Sequence, residues 1–205
     1  MKNRILTFSA RAVSTVLHPF VLPMLVLTVL LWGDTAFAIY PPRFKFYLCW
    51  VVALYTLVIP VLWVALLRRT GHVTSWSIEE RSERALPLMV GALCCIACAM
   101  TVGRIASAEI IRRIMLAEAC CQMMCLAVNY FWKISLHMTA IGGCTALMAM
   151  LCILTGGMTP LLAATVVAAG ALASSRLFLG QHELRQVAAG FAGGFAVMSL
   201  AMLLL

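Results

Sequence analysis

The sequence predicts an all-α fold, a polytopic transmembrane bundle of six or seven helices, on the strength of three observations. Of 205 residues, 64 % are hydrophobic and 11 % are charged, whereas soluble domains carry about 25 % charged residues. Mean hydropathy is +1.03. The apolar residues gather into runs close to the ~20 residues that cross a hydrocarbon core, separated by short polar segments. Such a surface needs lipid as its solvent, which excludes a soluble globular domain.

Residues 1–17 mix Lys2, Arg4 and Arg11 with Ile5, Leu6, Phe8 and Val13, the pattern of a short interfacial helix. Apolar runs follow at about 18–39, 47–67, 86–102, 113–131, 138–154, 159–174 and 187–205, so 18–205 reads as a single bundle. The first run, after Met1-Lys2-Asn3-Arg4, imitates a secretory signal ending at Ala36-Phe37-Ala38. The long basic region and Asp34 favour a retained span. Pro60 is expected to kink the second run. Gly190 and Gly194 give the last run a Gly-x-x-x-Gly face for close backbone approach, either within the bundle or in a homo-oligomer.

Net charge is +8, and the basic residues stand between the apolar runs. A nucleic-acid binder would gather them on a soluble face, which this chain lacks. Membrane lipids and phosphate-bearing substrates are the expected partners, and nucleic acid is not. With seven crossings, residues 1–17, 68–85, 132–137 and 175–186 share one side and hold three, four, one and two Lys or Arg. The other side holds five, including Arg113 at a helix edge. That bias makes the first side cytoplasmic, in the bacterial inner (cytoplasmic) membrane. Without Arg81, Arg84, Lys133 and Arg176 it vanishes, leaving the face undecided.

Nine cysteines raise the question of a metal or disulfides. Cys94, Cys95, Cys98, Cys120, Cys121 and Cys125 all fall inside apolar runs without ligand spacing, so they read as packing residues. Glu118, Gln122, Cys125 and Asn129 share one face of the fourth run, either as glue inside the bundle or as a polar wall under a head-group site.

The chemistry-bearing residues lie on one side, in three connectors. These read Glu79-Glu80-Arg81-Ser82-Glu83-Arg84-Ala85-Leu86-Pro87, Trp132-Lys133-Ile134-Ser135-Leu136-His137, and Ser174-Ser175-Arg176 followed by His182. Guanidinium forks match phosphate oxygens in pairs. Imidazoles suit both attack on phosphorus and protonation of a departing oxygen near neutral pH. No acidic cluster points to a metal, and no cofactor is expected.

At these residues the chain resembles the type 2 phosphatidic acid phosphatases, membrane relatives of bacterial acid phosphatases and vanadium haloperoxidases. The family motifs are Lys-x6-Arg-Pro, Ser-Gly-His and Ser-Arg-x5-His-x3-Asp. Here Ser175-Arg176, His182 and Gln186 stand in the third motif and Ser135-Leu136-His137 in the second. Arg81 and Arg84 ahead of Pro87 stand in the first, and the likeness spans about 79–200.

The resemblance implies an acid-phosphatase-like core and a metal-independent phosphatase acting on a lipid phosphate or polyprenyl diphosphate. His182 would be the nucleophile that becomes phosphorylated and His137 the acid that protonates the leaving group. Arg176, Ser135 and Arg81 or Arg84 would hold the phosphoryl oxygens, with Ser175, Lys133 and Asn129 behind them. Gln186 replaces the aspartate that orients the nucleophilic imidazole, and Leu136 replaces the motif glycine. Four residues beyond His182, Gln186 still offers an acceptor that fixes the imidazole tautomer. A catalytically silent member that binds lipid phosphates or partner proteins is the alternative, and a small transporter relaying protons through Glu118 is a third. His18, directly before Pro19, could point into the same site, and a plain interfacial role is the preferred reading.

Overall fold

The computed structural model describes residues 4–33, 35–75, 78 and 80–205. Helices account for the fold, and no strand occurs among the described residues. In chain order they are α1 (Arg4–Val16), α2 (Leu22–Trp32), α3 (Pro42–Ala53), α4 (Ile59–Arg69), α5 (Ala85–Val102), α6 (Glu109–Phe131), α7 (Leu136–Thr155), α8 (Thr159–Phe178) and α9 (Leu184–Leu204). Six helical stretches among the described residues are long and apolar enough to cross a membrane: Pro42–Arg69, Arg81–Val102, Ala106–Phe131, α7, α8 and α9. The molecule is therefore an integral membrane protein by length and composition.

The first expected span is corrected. α2 has 11 residues, or about 16 Å at 1.5 Å per residue, against a core of ~30 Å. Pro23 stands in its first turn, and an extended Gly33 ends it. The segment still joins the two ends of the bundle. His18 packs against the ring of His137 at one end, and the Tyr40 hydroxyl donates to the Ser107 carbonyl at the other. Elsewhere helices run past the apolar limits. Arg43, Lys45, Arg68, Arg69 and the Glu109–Arg112–Arg113 cluster are helical, because backbone hydrogen bonding does not stop where hydrophobicity does.

Pro60 acts through the turn before it. Having no N–H to return to Thr56, it follows a π-helical turn over Leu54–Val58 that joins α3 to α4 in one continuous helix. Thr56 is buried there and bonds back to the Val52 carbonyl at 2.9 Å.

α7 is the most enclosed of the spans and packs most extensively on α9. Glycines allow this approach. A Cβ at Gly194 would strike the Thr139 carbonyl, one at Gly142 the Phe191 carbonyl, and one at Gly190 would lie 2.7 Å from the Ser135 carbonyl. The Gly190/Gly194 face is thus filled by α7 of the same chain, and both glycines are buried. Lipid-facing positions run the other way, with Trp50, Leu62, Met100, Ile153, Val167 and Leu203 exposed. α1 is a separate amphipathic helix. It lies on α8 with Ala10 and Ser14 buried while Ile5, Leu6 and Phe8 stay exposed.

Candidate functional site

One end of the bundle gathers the connector residues 17–21, 70–75, 78, 80–84, 132–135 and 179–183. Arg84 is the tie between two of them. Its Nε donates to the Ile78 carbonyl and its Nη1 to the Ile134 carbonyl, both at 2.9 Å, and the residue is 3 % exposed. Ile78 takes a left-handed backbone, φ 45°, which is rare for a β-branched residue. Glu83 closes the same loop by accepting from the backbone N–H and hydroxyl of Thr74. Arg84 and Glu83 thus hold the loop in place by bonds to its backbone. Glu79 lies outside the described residues.

His182 owes its place to a tight reversal. α8 ends in its last turn with buried Arg176, Gly180 takes φ 69°, and Glu183 caps α9. The cap is reciprocal. The Glu183 side chain accepts from the Gln186 backbone, and Gln186 Oε1 accepts from the Glu183 N–H at 3.4 Å. The same Oε1 stands 2.8 Å from His182 Nδ1. An amide oxygen only accepts, so Nδ1 carries the proton and Nε2 keeps its lone pair. His182 precedes the helix, so it meets Gln186 through the capping geometry rather than along a shared helical face. Burial, with the charges of Arg176, Arg84 and Lys133, lowers the His182 pKa to about 4 against the pull of the Gln186 hydrogen bond. The ring is neutral at physiological pH.

His137 sits in the first turn of α7, where unsatisfied backbone N–H groups face outward. Its Nε2 lies 3.2 Å from the Ser14 carbonyl of α1. A carbonyl only accepts, so Nε2 is the donor and Nδ1 is the position that exchanges a proton. His18 completes the group. Its ring meets that of His137 edge-on at a centroid distance of 5.0 Å, and its Nδ1 accepts from the Phe20 N–H at 3.2 Å. Its pKa is lowered to about 4, by burial first and then by Arg176.

His18, Arg84, His137, Arg176 and His182 all line one open cleft of about 950 Å³, mouth included. Arg176 is 4 % exposed. The cleft descends between α2, the π turn, α5, α6 and α7, past Cys125 to Gln122, Cys121 and Glu118. Cys125 Sγ and Thr139 Oγ1, 3.3 Å apart, set α6 and α7 at one level. Glu118 lies seven residues further along α6, about 10 Å deeper. There it also lines a second, narrow cavity with Leu22, Val26, Ile114, Met115, Leu147 and Met198. Tyr130, Phe131 and Trp132 are exposed at the site end, where aromatic side chains mark the level of lipid head groups.

The sequence-derived residues divide accordingly. His182, His137, Arg84 and Arg176 share the cleft, and Gln186 touches it through His182. Arg81 lies outside the cleft lining: it is exposed, and its Nη1 donates to the Phe131 carbonyl at 2.7 Å, closing the C-terminus of α6. Asn129 also lies outside the cleft lining, its Nδ2 donating to the Arg81 carbonyl at 3.0 Å. Glu118, Gln122 and Cys125 all line the cleft. Ser135 is fully buried behind His137, its hydroxyl without a hydrogen-bond partner among the described residues. Ser175 bonds back to the Ala171 carbonyl at 2.7 Å and lies outside the cleft lining. Lys133 acts on His182 by its charge. His18, for which the interfacial reading is preferred, is the site residue the sequence ranks too low. The signal was its place directly before Pro19, at the break between two helices. No group of three or more His, Cys, Asp or Glu among the described residues has metal-binding geometry. Searches against protein-family models, curated proteins and solved structures find no match to this chain.

Proposed function

We propose that this protein is a membrane phosphatase that removes phosphate from a lipid phosphate or polyprenyl diphosphate through a phosphohistidine on His182. The observation that carries the reading is the cleft at head-group level. There a neutral imidazole with its Nε2 lone pair available stands among two buried arginines and a second imidazole at a helix N-terminus. Arg84 and Arg176 grip the phosphoryl oxygens and offset the charge that shifts during transfer. The Nε2 lone pair of His182 attacks phosphorus as the bond to the leaving oxygen breaks, and that oxygen takes a proton from Nδ1 of protonated His137. The His137 Nε2–H stays on the Ser14 carbonyl in both protonation states, so the ring gains and loses its proton without reorienting. Water then attacks phosphorus while His137 takes its proton, the phosphorus–nitrogen bond breaks with its electron pair returning to His182 Nε2, and phosphate leaves.

The test is release of inorganic phosphate by the purified protein in detergent micelles containing phosphatidic acid or farnesyl diphosphate. Wild type should turn over at least one of them and form an acid-labile phosphoprotein, and His182→Ala should do neither. Phosphate release that survives His182→Ala would refute the mechanism. One observation favours a second reading, a silent phosphate-binding member: Gln186 orients His182 without a negative charge. Binding of either lipid without release would select it.

A further inference from the structure

We infer that His18 is a fixed, neutral hydrogen-bond donor to the phosphoryl group, a third imidazole of the site whose Nε2–H binds an equatorial oxygen. The inference rests on the phosphatase reading above and adds a residue to it. Three geometric facts carry it. His18 lines the cleft with Arg84, Arg176, His137 and His182. Its ring is held in place between Phe20, at 4.9 Å and tilted, and His137, edge-on at 5.0 Å. Its Nδ1 accepts the backbone N–H of Phe20, so in the neutral ring the proton must sit on Nε2. No hydrogen bond from that Nε2–H is found among the described residues, and the residue lines the cleft.

The same bonds separate the roles of the three rings. His137 holds a carbonyl with Nε2–H and can add a proton at Nδ1 without breaking that contact. His182 holds an amide oxygen with Nδ1–H and presents a lone pair. His18 differs from both. Protonating its Nδ1 would set two N–H groups against each other, so the Phe20 N–H locks the ring neutral, and the nearby Arg176 charge acts in the same direction. A locked neutral imidazole does not shuttle protons. It stabilises developing charge, as a preorganised dipole does in a water-poor site. His18 would thus donate to the phosphoryl group while His137 handles the leaving group.

The experiment compares His18→Phe, His18→Gln and His182→Ala with wild type for kcat, KM and pH profile on phosphatidic acid micelles. Thermal unfolding in the same detergent checks integrity. Glutamine keeps an N–H near the Nε2 position, and phenylalanine keeps the ring alone. His18→Phe should lower kcat about 100-fold, while His18→Gln stays within about tenfold of wild type with both limbs of the pH profile in place. If His18→Phe retains activity within about threefold while His182→Ala is inactive, the inference about His18 fails alone. If His182→Ala is active, the phosphatase mechanism fails instead. A limb of the profile that vanishes in His18→Gln would make His18 a proton shuttle and overturn the locked-donor role. Should His18→Phe not fold, ¹⁵N-histidine NMR of wild type with inorganic phosphate decides. The His18 Nε2–H resonance must move downfield on phosphate addition, and an unmoved resonance overturns the inference.

Discussion

Replacing Gln186 by glutamate changes one atom type at the point that orients His182. Gln186 Oε1 lies 2.8 Å from His182 Nδ1 and also accepts the Glu183 N–H. A carboxylate of the same length preserves both contacts and adds a negative charge beside the ring. Two unit charges 4 Å apart at an effective dielectric constant near 20 interact by about 4 kcal/mol. At 1.36 kcal/mol per pKa unit that is at most about three units. Burial of the new carboxylate and its proximity to Glu183 reduce the gain, leaving about one to two units. The His182 pKa, held at about 4 in the wild type, should rise to about 5 to 6. Since His182 must be neutral to attack, the acid limb of kcat/KM for phosphatidic acid hydrolysis should move up by the same amount. Turnover on the plateau should rise as well, because the positive charge that develops on the ring gains a counter-charge. Gln186→Asp is the weaker probe: one methylene shorter, it leaves the carboxylate about 1.5 Å short of Nδ1. An acid limb that stays in place in Gln186→Glu would refute the orientation argument.

The stability of the protein should fall on acidification. The His182 pKa is lower in the folded state, about 4, than the ordinary 6.5, so between those values the unfolded chain binds more protons and stability drops as pH falls, by about 3 kcal/mol in all. Unfolding in detergent at pH 7 and 4.5 checks this: because the His18 pKa is depressed to the same extent, His182→Ala should remove about half of the dependence, and a melting temperature that rises toward acid would contradict it. Arg84→Ala should abolish phosphate release and destabilise the protein by about 3 kcal/mol, because it strands the Ile78 and Ile134 carbonyls. Arg81→Ala, losing one exposed bond to Phe131, should cost about 1 kcal/mol and leave turnover within about threefold. Equal losses of activity would return Arg81 to the site. Gly194→Ala should cost about 1–3 kcal/mol, as its methyl group meets the Thr139 carbonyl. Gly170→Ala in α8, with open space around it, should be neutral or slightly stabilising. Thermal unfolding of the two variants compares them directly.

The bundle, most of its helix limits and the clustering of His137, Arg84, Arg176 and His182 at one end were legible in the sequence. Hydropathy sets which segments enter lipid, and alternating crossings set which connectors meet. Spacing also singled out Gln186 and the polar wall of Glu118, Gln122 and Cys125. What it could not rank was Arg81 against Arg84, since both stand in the same short helical turn and differ only in which carbonyls lie opposite. Asn129 and Gly190/Gly194 were identified as special positions, but their partners, Arg81 and α7, come from elsewhere in the chain. His18 shows the limit most plainly. By itself it is one polar residue before a proline at a helix break, and only the return of α7 and α8 to that break makes it a wall of the cleft. Sequence determined the membrane fold because burial in lipid is a property of each segment. The tertiary structure decided which nitrogen of each histidine carries its proton, because that depends on a single carbonyl, amide oxygen or N–H brought from another turn of chain.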